Sequence, residues 1–123
     1  MDELGGLFAV EIEPEIREWL ETLDSHAYKR VEEAVSLLVE MPTTLGEPWS
    51  RHLSGPVREL RFTLGGGVMR MTYWLAPGRR VILLTVFRKT RMRESAQVHR
   101  AVLAQKVCEA EHEIAAHEYV REA

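Results

Sequence analysis

The sequence predicts an α+β domain in which an N-terminal helix pair packs on one face of a small antiparallel sheet, in the order β-α-α-β-β-β-α. Three observations lead there. Ile16, Trp19, Leu20 and Leu23, then Tyr28, Val31, Val35 and Leu38, recur at helical spacing. Between residues 57 and 88 three apolar runs follow one another, separated only by Gly65-Gly66-Gly67 and by Pro77-Gly78. Connections this short make neighbouring strands antiparallel. From about Glu94 the chain turns helical again.

Each element has a local reason. Residues 7–12, "LFAVEI", read as a first strand with Phe8, Val10 and Ile12 on one face. Pro14 suits the first turn of a helix, where its missing N–H costs nothing, and Glu13, Glu15 and Glu18 suit the positive end of the helix dipole. Asp24 and Ser25 are cap-type residues, so the helix breaks there and restarts. Met41-Pro42 ends the second helix, because the residue before proline avoids helical geometry. Residues 42–56 hold three of the five prolines and read as a loop whose Leu45, Trp49 and Leu53 can still pack. Strands are expected at about 57–64, 68–76 and 80–88. In the C-terminal helix Val98, Ala101, Val102 and Cys108 make a weak stripe interrupted by Gln105, and the polar tail from about Glu109 is expected to be exposed or held by a partner. Trp19, Trp49, Met69 and Met71 are expected in the core, and Cys108 is expected to be buried without chemistry.

The 123 residues suffice for one domain, taken here as 1–123, with no internal repeat. Apolar residues at 46% and charged residues at 28% are ordinary for a soluble globular chain. No apolar run approaches the ~20 residues of a membrane span, and no signal peptide is expected from the acidic start. A single cysteine fits a reducing compartment, hence the cytoplasm. One Cys and five scattered His give no metal-ligand spacing, and no cofactor is expected.

The formal net charge of −3 hides a strong asymmetry. Residues 1–50 carry 3 basic and 12 acidic side chains, residues 51–100 carry 11 and 2, and residues 101–123 carry 2 and 5. A basic block between two acidic ones points to a polyanionic partner for the middle of the chain. The competing reading is internal, with acidic helices neutralising a basic sheet. The cations sit on or beside the strands: Arg58 and Arg61 in "PVRELRF", Arg70 in "VMRMTYWL", and Arg88 and Lys89 at the end of "RRVILLTVFRK".

These runs resemble the RelE/HigB superfamily of toxins from type II toxin–antitoxin pairs. The matching features are Leu53, Gly55 and Glu59-Leu60-Arg61, then Arg70 and Tyr73, then Phe87-Arg88-Lys89. The likeness is clear over about residues 50–92, and the order of elements extends it loosely to most of the chain. It implies a metal-independent endoribonuclease that cuts mRNA on the ribosome. The RNA's own 2′-OH would be the nucleophile, and an antitoxin would neutralise the protein. It further implies an antitoxin with a helix-turn-helix domain, so that DNA is touched only through that partner. The reaction needs a base, an acid and cations for the phosphorane charge. Arg70 is assigned to transition-state charge, Arg61 to phosphate positioning or proton transfer, and Lys89 to base or electrostatic aid. Arg58, Tyr73, Arg88 and Arg91 are assigned to RNA contact. Strand parity places Arg70 and Tyr73 on opposite faces unless a bulge intervenes, while Trp74 shares the Arg70 face. The chain departs from the pattern after the last strand, where "KTRMRESAQVH" offers no Tyr and no His before His99. His99 and His52 are therefore the candidate histidines. Two other readings stay open: a ParE-like gyrase poison, and an antitoxin-binding module without catalysis.

Overall fold

The computed structural model describes residues 8–111. Their elements are β1 (Ala9–Ile12), α1 (Pro14–Glu21), α2 (Ser25–Glu40), β2 (Ser50–Ser54), β3 (Val57–Leu64), β4 (Gly67–Ala76), β5 (Arg80–Arg88) and α3 (Ser95–Glu111). Leu7 and the tail beyond Glu111 lie outside the described residues. No described helix is long and apolar enough to cross a membrane.

The helix break falls where the sequence placed it. Asp24 is the N-cap of α2, and its carboxylate accepts from Ala27 N at 2.8 Å. Such a bond satisfies an amide that the first helical turn leaves without a partner. Gly65 and Gly66, at φ 57° and 80°, form the two-residue turn between paired Leu64 and Gly67. Both conformations suit glycine, and the turn's twist matches that of the flanking strands.

Two features differ from expectation. The segment read as a loop contains β2, an edge strand pairing antiparallel with β3. The sheet is also mixed, because β1 runs parallel to β5, giving the strand order β1-β5-β4-β3-β2. The long connection from β1 through both helices permits a parallel partner, which a tight hairpin would not.

The sheet divides the core in two. On one face α1 and α2 cover Leu60, Phe62, Met69, Met71, Tyr73, Val81 and Leu83. On the other face α3 brings Ala101 and Cys108 onto Val57, Trp74, Ile82 and Leu84. Burying this apolar area supplies the main drive for folding. Gln105 is buried within the same α3 stripe, and its amide donates to Glu109 Oε1 at 3.3 Å, so the polar interruption keeps a partner. Trp49, expected in the core, is half exposed on the way into β2.

In β5, Leu83 pairs with Tyr73 and Thr85 pairs with Thr72, so Leu84 is an extra residue in a bulge. The bulge resets parity. It puts Thr85 beside Thr72, their hydroxyls 2.6 Å apart, and Phe87 opposite Arg70. The edge of β5 beyond β1 is closed by side chains. Glu15 Oε2 accepts from Val86 N at 3.0 Å, and Arg100 from α3 pairs with Glu15 Oε1.

Candidate functional site

β3 and β4 bring the site together. Arg61 and Arg70 are direct cross-strand partners. Alternation sends Leu60 and Phe62 under the helix pair and Glu59 and Arg61 to the α3 face, where Arg70 also lies. Glu59 is the hub. Its Oε2 stands 2.5 Å from Arg70 Nη1, 3.3 Å from Arg51 Nη2 and 3.9 Å from Arg61 Nε. Three guanidiniums surround one carboxylate, so the cluster keeps an excess of positive charge.

Exposure grades across the three arginines, with side chains 5%, 26% and 48% exposed for Arg70, Arg61 and Arg51. Arg70 therefore stands behind, locked on Glu59, and Arg61 and Arg51 form the accessible edge. Burial is the largest influence on Arg70 and lowers its pKa; the Glu59 carboxylate opposes that, and Arg61 and Arg51 add to the lowering. Among the described residues its buried Nε has no hydrogen-bond partner.

Arg51 also borders an open cleft of about 650 Å³ that includes Ser54, Arg93, Glu94 and His99. This cleft lies between β2 and the start of α3. Glu94 shapes it: its Oε2 accepts from Thr90 N and Arg91 N, each at 2.9 Å. Those two amides hold the Glu94 carboxyl below its usual pKa. His99 is exposed in the cleft. His52 points elsewhere, its Nε2 donating to Gly55 O at 2.9 Å within the β2–β3 turn.

The remaining predicted residues do not join the cluster. Lys89 N donates to Val68 O at 2.8 Å and so extends the ladder past β5. Its ammonium turns onto the backbone carbonyls of Arg91 and Met92, so it holds a loop where a base or an electrostatic aid was expected. Tyr73 is a correction. It is 0% exposed under the helix pair, with its hydroxyl 2.6 Å from Ser50 Oγ, and no base can stack on it there. Arg58 shares that face; its Nε donates to Ser50 Oγ at 3.2 Å and to Tyr73 Oη at 3.3 Å, and its Nη2 reaches Leu45 O at 3.5 Å. It fastens the loop before β2, away from Arg61. Arg88, paired with Met69, also falls on the helix-pair side, with its guanidinium over Gly67. Arg91 is exposed in the loop beside the cleft.

Sequence reasoning missed Arg51 and the central part played by Glu59. The signal for Glu59 was its spacing of two from Arg61, which puts both on one strand face. Arg51 had no such signal, because β2 itself was not recognised.

A family model described as "Phage derived protein Gp49-like" matches residues 18–116. No curated protein matches the chain. Among solved structures, a double arginine-to-alanine mutant of Escherichia coli toxin RelE in the free state is similar, with a TM-score of 0.57 at 14% identity. The match covers 82% of this chain and 97% of that one. The archaeal RelE–RelB complex from Pyrococcus horikoshii OT3 is also similar, with a TM-score of 0.51 at 20% identity, covering 69% of this chain and 98% of that one. At such identities the likeness speaks for the fold. The chain belongs to the phage-derived Gp49-like family and has the RelE-like fold that its strand motifs resemble.

Proposed function

We propose that this protein is the toxin of a toxin–antitoxin pair and that it cleaves mRNA on the ribosome, in the cytoplasm, at the arginine cluster of the α3 face. The observation that carries the reading is the cross-strand pair Arg61–Arg70 gathered with Arg51 around the single carboxylate of Glu59. A site with three guanidiniums and one carboxylate favours an anion, and an arginine fork matches phosphate oxygens. The fold shared with the toxin RelE, and with a RelE–RelB complex, supports the toxin and its antitoxin partner.

In this reading the RNA 2′-OH attacks the adjacent phosphorus and the bond to O5′ breaks. A 2′,3′-cyclic phosphate and a 5′-OH result. The 2′-OH proton passes to a base, and an acid delivers a proton to the leaving O5′. Arg61, with Arg51 beside it, holds the phosphate oxygens as charge builds on them. Arg70 adds positive potential from behind and fixes Glu59. His99 lines the cleft that Arg51 borders, together with Glu94.

A second reading, a ParE-like gyrase poison, draws support from two placements: Arg70 is buried, and the Lys89 ammonium is engaged with loop carbonyls. The two readings separate in a translation reaction programmed with a defined mRNA. Cleavage within translated codons, leaving 5′-OH ends and cyclic phosphates, supports the nuclease. Intact mRNA together with blocked gyrase supercoiling rejects it.

A further inference from the structure

On the face opposite the arginine cluster, an open apolar groove of about 910 Å³ lies between α1, α2 and the β1–β5 side of the sheet. α1 packs over β5 and α2 over β3, and the groove beside them reaches Met71 of β4, Leu83 of β5, and Val10 and Ile12 of β1. α2 carries two apolar stripes. Val31, Ala34 and Leu38 are buried in the core. Val35 and Val39, four apart and only half buried, line the groove with Ile12, Ile16 and Leu20. A half-buried apolar row beside a continuous floor is the form in which a helix lays its own apolar face. The rim is acidic: Glu32, Glu33 and Glu40 stand against Lys29. Glu33 shares its charge with half-buried Arg30 at 3.8 Å, a weak pairing that leaves the rim negative overall.

We propose that this groove receives an amphipathic segment of the antitoxin whose apolar row is flanked by Lys or Arg. The inference deepens the toxin reading and rests on it. The acidic rim selects among occupants. RNA and anionic lipid would be repelled. A second copy docked on the same face would bring its own acidic rim against this one, because an isologous contact apposes like with like. A basic-flanked segment meets both the apolar floor and the rim. The complex then leaves Arg51 and Arg61 open to solvent on the far face, so the partner acts without occupying the arginine cluster.

The test uses the full chain co-expressed with the product of the neighbouring gene. A photo-crosslinking residue replaces Ser36, at the groove, or Thr63, exposed on the α3 side. Three variants accompany them: Val35→Asp, the exposed pair Glu32→Lys with Glu40→Lys, and Arg61→Glu. The expected result is crosslinking to the neighbour at 36 and none at 63. Co-purification should fall roughly tenfold or more for Val35→Asp and for the paired lysines, and persist for Arg61→Glu. Growth arrest by the toxin alone should survive both groove changes. The surface lysine pair keeps the test valid if Val35→Asp fails to fold. Crosslinking at 63 but not 36, a second copy captured at 36, or unchanged co-purification of the lysine pair overturns the groove assignment. If the wild-type chain neither arrests growth nor binds the neighbour, the toxin reading fails and the proposal falls with it. If it arrests growth while position 36 captures nothing, only the groove assignment falls.

Discussion

Arg70 Nη1 lies 2.5 Å from Glu59 Oε2, and both side chains are buried, at 5% and 3% exposed. A buried ion pair adds little net stability over well-packed apolar residues, but removing one partner leaves an uncompensated charge. Glu59→Gln should therefore destabilise the fold by about 3 kcal/mol or more in urea unfolding, because Arg70 then faces Arg61 and Arg51 without its carboxylate. Glu59→Leu combined with Arg70→Met should recover most of that loss. A double variant as unstable as the sum of the singles would contradict the pairing.

Arg61 lies at the same cluster but partly in solvent, 3.9 Å from Glu59. Its pairing should contribute less than about 1 kcal/mol, so Arg61→Ala should leave the unfolding midpoint nearly unchanged. The same substitution should lower mRNA cleavage by about 10²-fold, the usual scale for a group that stabilises transition-state charge. Arg61→Lys should recover only part of the activity, because a lysine lacks the bidentate fork.

The β3–β4 turn predicts a contrast between neighbouring glycines. Gly66→Ala forces a side chain into φ 80° and should cost about 1 kcal/mol or more. A Cβ at Gly67 would fall directly on Arg88 Nη1, the free end of a flexible side chain. Gly67→Ala should stay within about 0.5 kcal/mol of wild type, with Arg88 displaced outward. Thermal unfolding of the two variants checks the order.

Glu94 supplies a pH prediction. Its carboxyl is held below its ordinary pKa by the Thr90 and Arg91 amides. A depressed carboxyl pKa stabilises the folded loop above the unfolded value of about 4.3, and that contribution is lost as pH falls through the lower folded value. Amide shifts of Thr90 and Arg91 should therefore hold steady down to about pH 4.3 and move only in more acidic solution. Glu94→Gln should abolish that movement.

Much of this architecture was legible from particular residues. Gly65-Gly66-Gly67 and Pro77-Gly78 fixed the ends of β3, β4 and β5 almost to the residue, and Asp24 fixed the helix break. β2 was hidden because "SRHLS" holds one apolar residue, as an edge strand can. The parallel β1–β5 pairing joins residues some seventy apart and leaves no local mark. Parity separated Arg70 from Tyr73 in the sequence. The same rule, applied to Arg58 three residues before Arg61, would have sent it to the Tyr73 side as well. Neither the burial of Arg70 nor the turning-in of Lys89 could be read, because both depend on where Glu59 and the loop carbonyls lie in space.

The central claim concerns the accessible arginine edge, and Arg61 tests it more cleanly than Arg70, whose loss would also unpair buried Glu59. The measurement is primer extension on a reporter mRNA after induced expression of wild type and Arg61→Ala, with soluble protein levels matched. The account predicts growth arrest and cleavage within translated codons for wild type, and for Arg61→Ala no arrest and cleavage lower by about 10²-fold. Equal cleavage by both proteins, or arrest by wild type with the mRNA intact, would contradict it.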